Sequence, residues 1–139
     1  MALNYTFSII KPDAFNSGKA GKIIAHLEAQ GFVLKYARVM QLSKKQAEEF
    51  YAVHRGRPFF GELVEFMSSA PCMPFVLEKE NAVHALRDAI GATDPAEAAE
   101  GTVRKLYAES KGKNAIHASD SDENAARESR FFFAEVDVL

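Results

Sequence analysis

The chain is 139 residues long, a length that suits one domain, here taken as residues 1–139. With 47% hydrophobic and 26% charged residues, it has the balance of a soluble globular protein and is too apolar for a disordered one. Seventeen Lys and Arg against nineteen Asp and Glu leave a net charge of −2, which argues against a general nucleic-acid binder but permits a local basic pocket for one anion.

Tyr5 to Ile10 is rich in β-formers and stops at Lys11-Pro12-Asp13, because proline cannot donate to a ladder. Lys19 to Gln30 then sets Ile23, Ile24 and Leu27 on one helical face and ends at Gly31, a natural terminator. Phe32 to Leu42 reads as a second strand. Ser43 is placed as the cap of a helix through Phe50, and Phe59 to Met67 repeats apolar residues at helical spacing. Pro71 to Leu77 is a short apolar strand. Asn81 is expected to cap Ala82 to Ile90, with Val83, Leu86 and Ile90 inward. From Gly91 to Lys113 the pattern weakens, apart from a helical turn near Thr102 to Glu109, and such a stretch is usually functional. Asn114 to His117 resumes a strand, and Ser119 to Glu123 opens a helix reaching about Arg130.

The order β-α-β-α-α-β-α-loop-β-α suits an α+β fold of the ferredoxin-like, split βαβ kind, a four-stranded antiparallel sheet covered by helices on one face. Cys72 is the one cysteine, so no intrachain disulfide or cysteine metal cage can form. The first residues lack a basic n-region and no apolar run approaches the roughly 20 residues that span a bilayer, so the expected address is cytoplasmic.

Several chemistries lack their motifs. In Gly18-Lys-Ala-Gly-Lys22 the glycines are too close and Ile23 follows the lysine, so it is no phosphate loop. There is no Gly-x-Gly-x-x-Gly fingerprint and no Gly-x-Ser-x-Gly elbow. His26, His54, His84 and His117 share no close ligand spacing, which argues against zinc.

The strongest signal is Asn114-Ala-Ile-His117-Ala-Ser119-Asp120-Ser121, a histidine at a strand end beside a helix start. Alone, such a histidine is more often structural than reactive. The run resembles the active-site signature of nucleoside diphosphate kinases, and other segments agree in order: Ile10 to Asp13, Phe50-Tyr51, Arg57 to Phe60, Gly91 to Ala96, and Glu100 to Arg104. The similarity runs from about Tyr5 to Arg130. It departs at Ala118, where glycine is usual, at Asp94, where asparagine is common, and at Lys111, where many relatives are apolar.

The resemblance implies a phosphotransferase that passes the terminal phosphoryl group of a nucleoside triphosphate to a diphosphate through a phosphohistidine. His117 matches the phosphorylated residue, with Nδ1 as the expected acceptor. Glu128 and Ser119 match the groups orienting it, and Tyr51 a hydroxyl nearby. Lys11, Arg87 and Arg104 would neutralise phosphate, Thr93 would donate to it, Asn114 would bond the sugar, and Phe59 would stack on the base. Stacking alone implies broad base acceptance. Mg²⁺ is expected on the nucleotide phosphates rather than in a protein site. The family also implies a homo-oligomer, hexamer or tetramer built from dimers, to which Phe131 to Leu139 is a plausible contributor. No nucleic acid or membrane partner is expected. Two other classes compete: a regulatory module that senses nucleotides with the same pocket, and a scaffold acting through its oligomer surface. Retention of the histidine among its cations favours the enzyme.

Overall fold

The computed structural model describes residues 3–134. The last five residues of the apolar C-terminal segment expected to aid assembly lie outside them. The sheet has four strands, β1 (Tyr5–Ile10), β2 (Val33–Ala37), β3 (Met73–Glu78) and β4 (Ile116–Ala118), in the order β2-β3-β1-β4 with every neighbouring pair antiparallel. That is the expected ferredoxin-like plan. Strand β2 is shorter than its apolar stretch suggests, and the Arg38 N–H on the Pro74 carbonyl and a bridge from Met40 to Cys72 continue the pairing beyond it.

Helix α1 (Pro12–Asn16) follows β1 directly, one turn that no periodicity announces. Proline suits its start, since its fixed φ is helical and its missing N–H would have had no helical partner. Helix α2 (Ala20–Ala29) ends as expected: Gly31 has φ +94° and the Phe32 N–H reaches back to the Leu27 carbonyl at 3.2 Å. Ser43 caps α3 (Lys44–Phe50) in a reciprocal pair with Gln46, and a single 3₁₀ turn at Ala52–His54 leads to α4 (Phe60–Ser68). Helix α5 (Ala82–Ile90) forms where predicted, but Asn81 does not cap it: the residue sits left-handed at φ +51° and its side chain makes no cap bond. Asparagine tolerates that turn, so it sets the entry of the chain instead. Thr102 caps the short α6 (Val103–Tyr107), and Ser121 caps α7 (Asp122–Phe132).

Helices cover both faces of the sheet, not one. Because side chains alternate along a strand, Ile10, Phe75, Leu77 and Ile116 face one layer, packed on Ile23 and Leu27 of α2 and Leu86 and Ile90 of α5. Phe7, Ile9 and Val76 face the other, packed on Phe50 of α3, Val64 and Met67 of α4, and Phe132 of α7. Thr6 and Ser8 are buried as well, so β1 is covered on both sides and its pattern only partly alternates. The same rule disposes β4. Ile116 and Ala118 turn to the α5 layer, and His117, opposite Ile9, turns to the layer of α3 and α7.

Candidate active site

His117 stands between two buried neighbours on the three-residue strand β4, which fixes its backbone on both sides. Its side chain is 20% exposed, so one edge of the ring reaches solvent. Nε2 lies 2.6 Å from Glu128 Oε1, and Ser119 Oγ donates to the same carboxylate oxygen at 2.8 Å. Arg127 Nη2 is 3.5 Å from the other oxygen. A carboxylate only accepts, so in the neutral ring the proton sits on Nε2 and Nδ1 holds the lone pair. Nδ1 makes no hydrogen bond to any described residue. Helix α7 supplies Glu128 from a buried position in its second half, which anchors the ring to a rigid element.

Aromatic rings wall the imidazole, with Phe50 at 5.7 Å, Phe7 at 6.1 Å and Tyr51 at 6.4 Å between centroids. The Tyr51 hydroxyl is buried without a hydrogen-bond partner, and burial, then the Glu128 charge, hold the phenol protonated. A buried donor without a partner is costly, and such groups often await a ligand or a water.

Three cations gather around the ends of β1 and β4. Lys11, immediately after β1, donates from Nζ to Asn114 Oδ1 at 2.9 Å. Burial pushes its amine down to about 8, the Arg104 charge adds to the fall, and Asp13 opposes it. Arg104 is itself buried; its two terminal nitrogens donate to the carbonyls of Gly91 at 3.0 Å and Ile116 at 2.8 Å. Burial, then Arg87, lowers its guanidinium to about 10, and its Nε has no partner. Arg87, exposed on α5, reaches the Ala118 carbonyl at 3.4 Å. Like charges held within range of one another destabilise each other unless an anion joins them. Such a cluster can take up a polyanion. Near it, the Asp120 carboxyl is held low, first by the Asn124 amide at 2.6 Å and then, among smaller causes, by Arg87 and His117.

Asn114 donates to the Thr93 carbonyl at 3.2 Å, tying the exposed Thr93 loop to the entry of β4. Phe59 lies farther out, 46% exposed at the start of α4, with its ring 5.3 Å from that of His54, which in turn lies 6.3 Å from Tyr51. Phe60 is half-buried against the core. Lys11, Arg87, Arg104, Asn114, His117, Ser119, Glu128 and Tyr51 are thus drawn together around β4. Phe59 and Thr93 stand at the rim.

Gly91, Asp13 and Ala115 matter at this site although sequence reading gives them no role in it. Gly91 has φ +88°, and a Cβ there would lie 2.6 Å from Thr102 Oγ1, so only glycine lets the Arg104 loop close. Asp13 Oδ2 accepts the Ala115 N–H at 3.0 Å, and Ala115 holds φ +72° while fully buried. Asp13 and Ala115 lie 102 positions apart, so no local pattern reveals that bond.

Comparison with known proteins agrees with this architecture. A family model described as nucleoside diphosphate kinase matches residues 4–138. A nucleoside diphosphate kinase of Chlorobium chlorochromatii is 59% identical over 134 residues, 96% of each chain, and one from Sorangium cellulosum is 54% identical over 138 residues, covering 99% of this chain and 96% of the other. The crystal structure of the Aquifex aeolicus enzyme superposes with a TM-score of 0.94 at 45% identity, over 98% of this chain and 99% of that one. A halophilic nucleoside diphosphate kinase from Halobacterium salinarum, solved in complex with CDP, gives 0.88 at 36% identity over 96% and 89%. By sequence and by fold alike, the chain belongs to the nucleoside diphosphate kinase family.

Proposed function

We propose that the chain moves the terminal phosphoryl group of ATP, or another nucleoside triphosphate, onto a nucleoside diphosphate in two half-reactions through His117. In the first, the Nδ1 lone pair forms a bond to the γ-phosphorus while the bond from that phosphorus to the β–γ bridging oxygen breaks. The diphosphate leaves with the electron pair. In the second, a terminal oxygen of the acceptor diphosphate attacks the same phosphorus and the N–P bond breaks, restoring the neutral ring. The observation that carries this reading is the 2.6 Å pair of His117 Nε2 with Glu128, which supports a ring proton on Nε2 and a nucleophilic Nδ1.

The surrounding residues take roles that their chemistry supports. Phosphoryl transfer has a loose transition state, so catalysis is mostly positioning and charge neutralisation. Lys11 supplies a compact charge, and Arg87 and Arg104 supply planar forks that match phosphate oxygens. Tyr51, kept protonated, is a donor beside the ring. Thr93 donates to phosphate, Asn114 serves the sugar, and Phe59 stacks on the base without reading its edge. The CDP complex of the Halobacterium relative supports a pyrimidine nucleotide among the substrates.

Among the described residues no three His, Cys, Asp or Glu side chains cluster to hold a metal. The donor set around His117 is cationic, which fits a divalent ion, Mg²⁺, that arrives on the nucleotide as part of the substrate and keeps several waters. That ion offsets phosphate charge. Edge strand β2 leaves Val33 exposed, which supports self-association into the dimer-built hexamer or tetramer that the resemblance implies. Among the described residues no helix is long and apolar enough to cross a membrane, and we place the activity in the cytoplasm.

The test is to incubate the chain with γ-labelled ATP and Mg²⁺ without acceptor. An acid-labile, base-stable adduct should form, vanish on addition of a nucleoside diphosphate, and fail to form in His117→Asn. Nucleotide binding with no adduct would support the sensor instead, and neither binding nor adduct would support the scaffold.

A further inference from the structure

The three residues Asn114, Ala115 and Ile116 form a turn closed by the Ile116 N–H on the Asn114 carbonyl at 2.8 Å. A bond of that span with φ +72° at the middle residue is the disfavoured sense of the γ-turn, and alanine adopts it only when its surroundings enforce it. Both backbone groups of Ala115 are held by the segment after β1. Its carbonyl accepts the Lys11 N–H at 2.9 Å, and its N–H donates to Asp13 Oδ2 at 3.0 Å. On either side of the turn lie the groups of the reaction: Asn114, bonded to Lys11 Nζ, then the Ile116 carbonyl, held by Arg104, then His117.

We propose that Asp13 is a positioning residue, clamping the Ala115 turn so that Asn114 and His117 meet the substrate in register. It acts through the turn and not by touching nucleotide. This rests on the reading of His117 as the phosphate carrier. A buried left-handed alanine relaxes when its N–H loses an acceptor, and without Asp13 the Ala115 backbone is tied to the segment after β1 through its carbonyl, on the Lys11 N–H. The second carboxylate oxygen of Asp13 is buried without a partner, so a carboxamide, which keeps one acceptor oxygen, can serve the same N–H.

The experiment is a rapid-mixing measurement of the first half-reaction with γ-labelled ATP and Mg²⁺, with His117→Asn run alongside and thermal unfolding recorded for each variant. Asp13→Ala should slow adduct formation by between about tenfold and about a hundredfold, with the apparent nucleotide affinity changed much less. Asp13→Asn should retain most of the rate. Glycine adopts the left-handed region freely, so Ala115→Gly should stay within about threefold of the parent, and in that background Asp13→Ala should cost no more than about threefold. Equal losses from Asp13→Ala with Ala115 and with Gly at that position would overturn the clamp, as would Asp13→Asn falling as far as Asp13→Ala, which would assign the effect to charge on Lys11. If Asp13→Ala does not fold, the Asp13→Ala, Ala115→Gly double variant should fold and react; its failure to fold would also overturn the clamp. An adduct in His117→Asn would instead overturn the carrier reading itself.

Discussion

Glu128 to glutamine is a nearly isosteric change that isolates what the carboxylate charge does for His117. In the parent, the buried carboxylate accepts from Nε2 at 2.6 Å and from Ser119 at 2.8 Å. The ring gains positive charge as Nδ1 bonds to phosphorus, so the pair strengthens toward the transition state. A hydrogen bond to a charged partner contributes about 1.5–3 kcal/mol against about 1 kcal/mol for a neutral one, a difference of about 0.5–2 kcal/mol. That converts to a fall of about 2- to 30-fold in the rate of the first half-reaction. Glu128→Ala removes the acceptor altogether and leaves Nε2–H and the Ser119 hydroxyl unpaired. We expect about 2–4 kcal/mol, or about 30- to 1,000-fold. Single-turnover phosphorylation with γ-labelled ATP reads both variants. Nucleotide affinity should barely move, because Glu128 holds the nitrogen opposite to the reacting one. A rise in KM at unchanged rate, or equal losses for the two variants, would refute the reasoning.

Lys11 carries its charge below about pH 8 and loses it above, so kcat/KM should fall as pH rises through about 8. The kcat profile should hold to higher pH, since bound phosphates raise the amine again; a kcat/KM profile flat to about pH 10 contradicts this. Phe59→Ala should raise KM for purine and pyrimidine nucleotides alike by about tenfold, with kcat little changed, as steady-state comparison of four nucleotides will show. Gly91→Ala places a methyl against Thr102 at a φ that alanine resists, and should lower Tm by roughly 5–10 °C in calorimetry.

The elements with a local cause are legible in the sequence. β-Branched and aromatic residues announce β1, Gly31 ends α2 where a glycine should, and Ser43 with Gln46 caps α3 reciprocally. What escaped was non-local or too short. Five residues of α1 cannot display a period, and Asn81 spends its tolerance of positive φ on turning the chain rather than on a cap. The second helical layer escaped because β1 is buried on both sides, with its polar residues Thr6 and Ser8 buried too. At the site, His117, Glu128 and Ser119 could be named from the family pattern because their chemistry is in their side chains. Asp13 and Ala115 could not, since their importance lies in one bond between distant segments and in a backbone angle.

The nitrogen that carries phosphate is the central point. Phosphorus and nitrogen NMR of the isolated adduct, made with labelled histidine, distinguishes the two ring positions directly. The hydrogen bond from His117 to Glu128 predicts phosphate on Nδ1 with the proton retained on Nε2. A signal from phosphate on Nε2, or on any residue other than His117, would contradict the account.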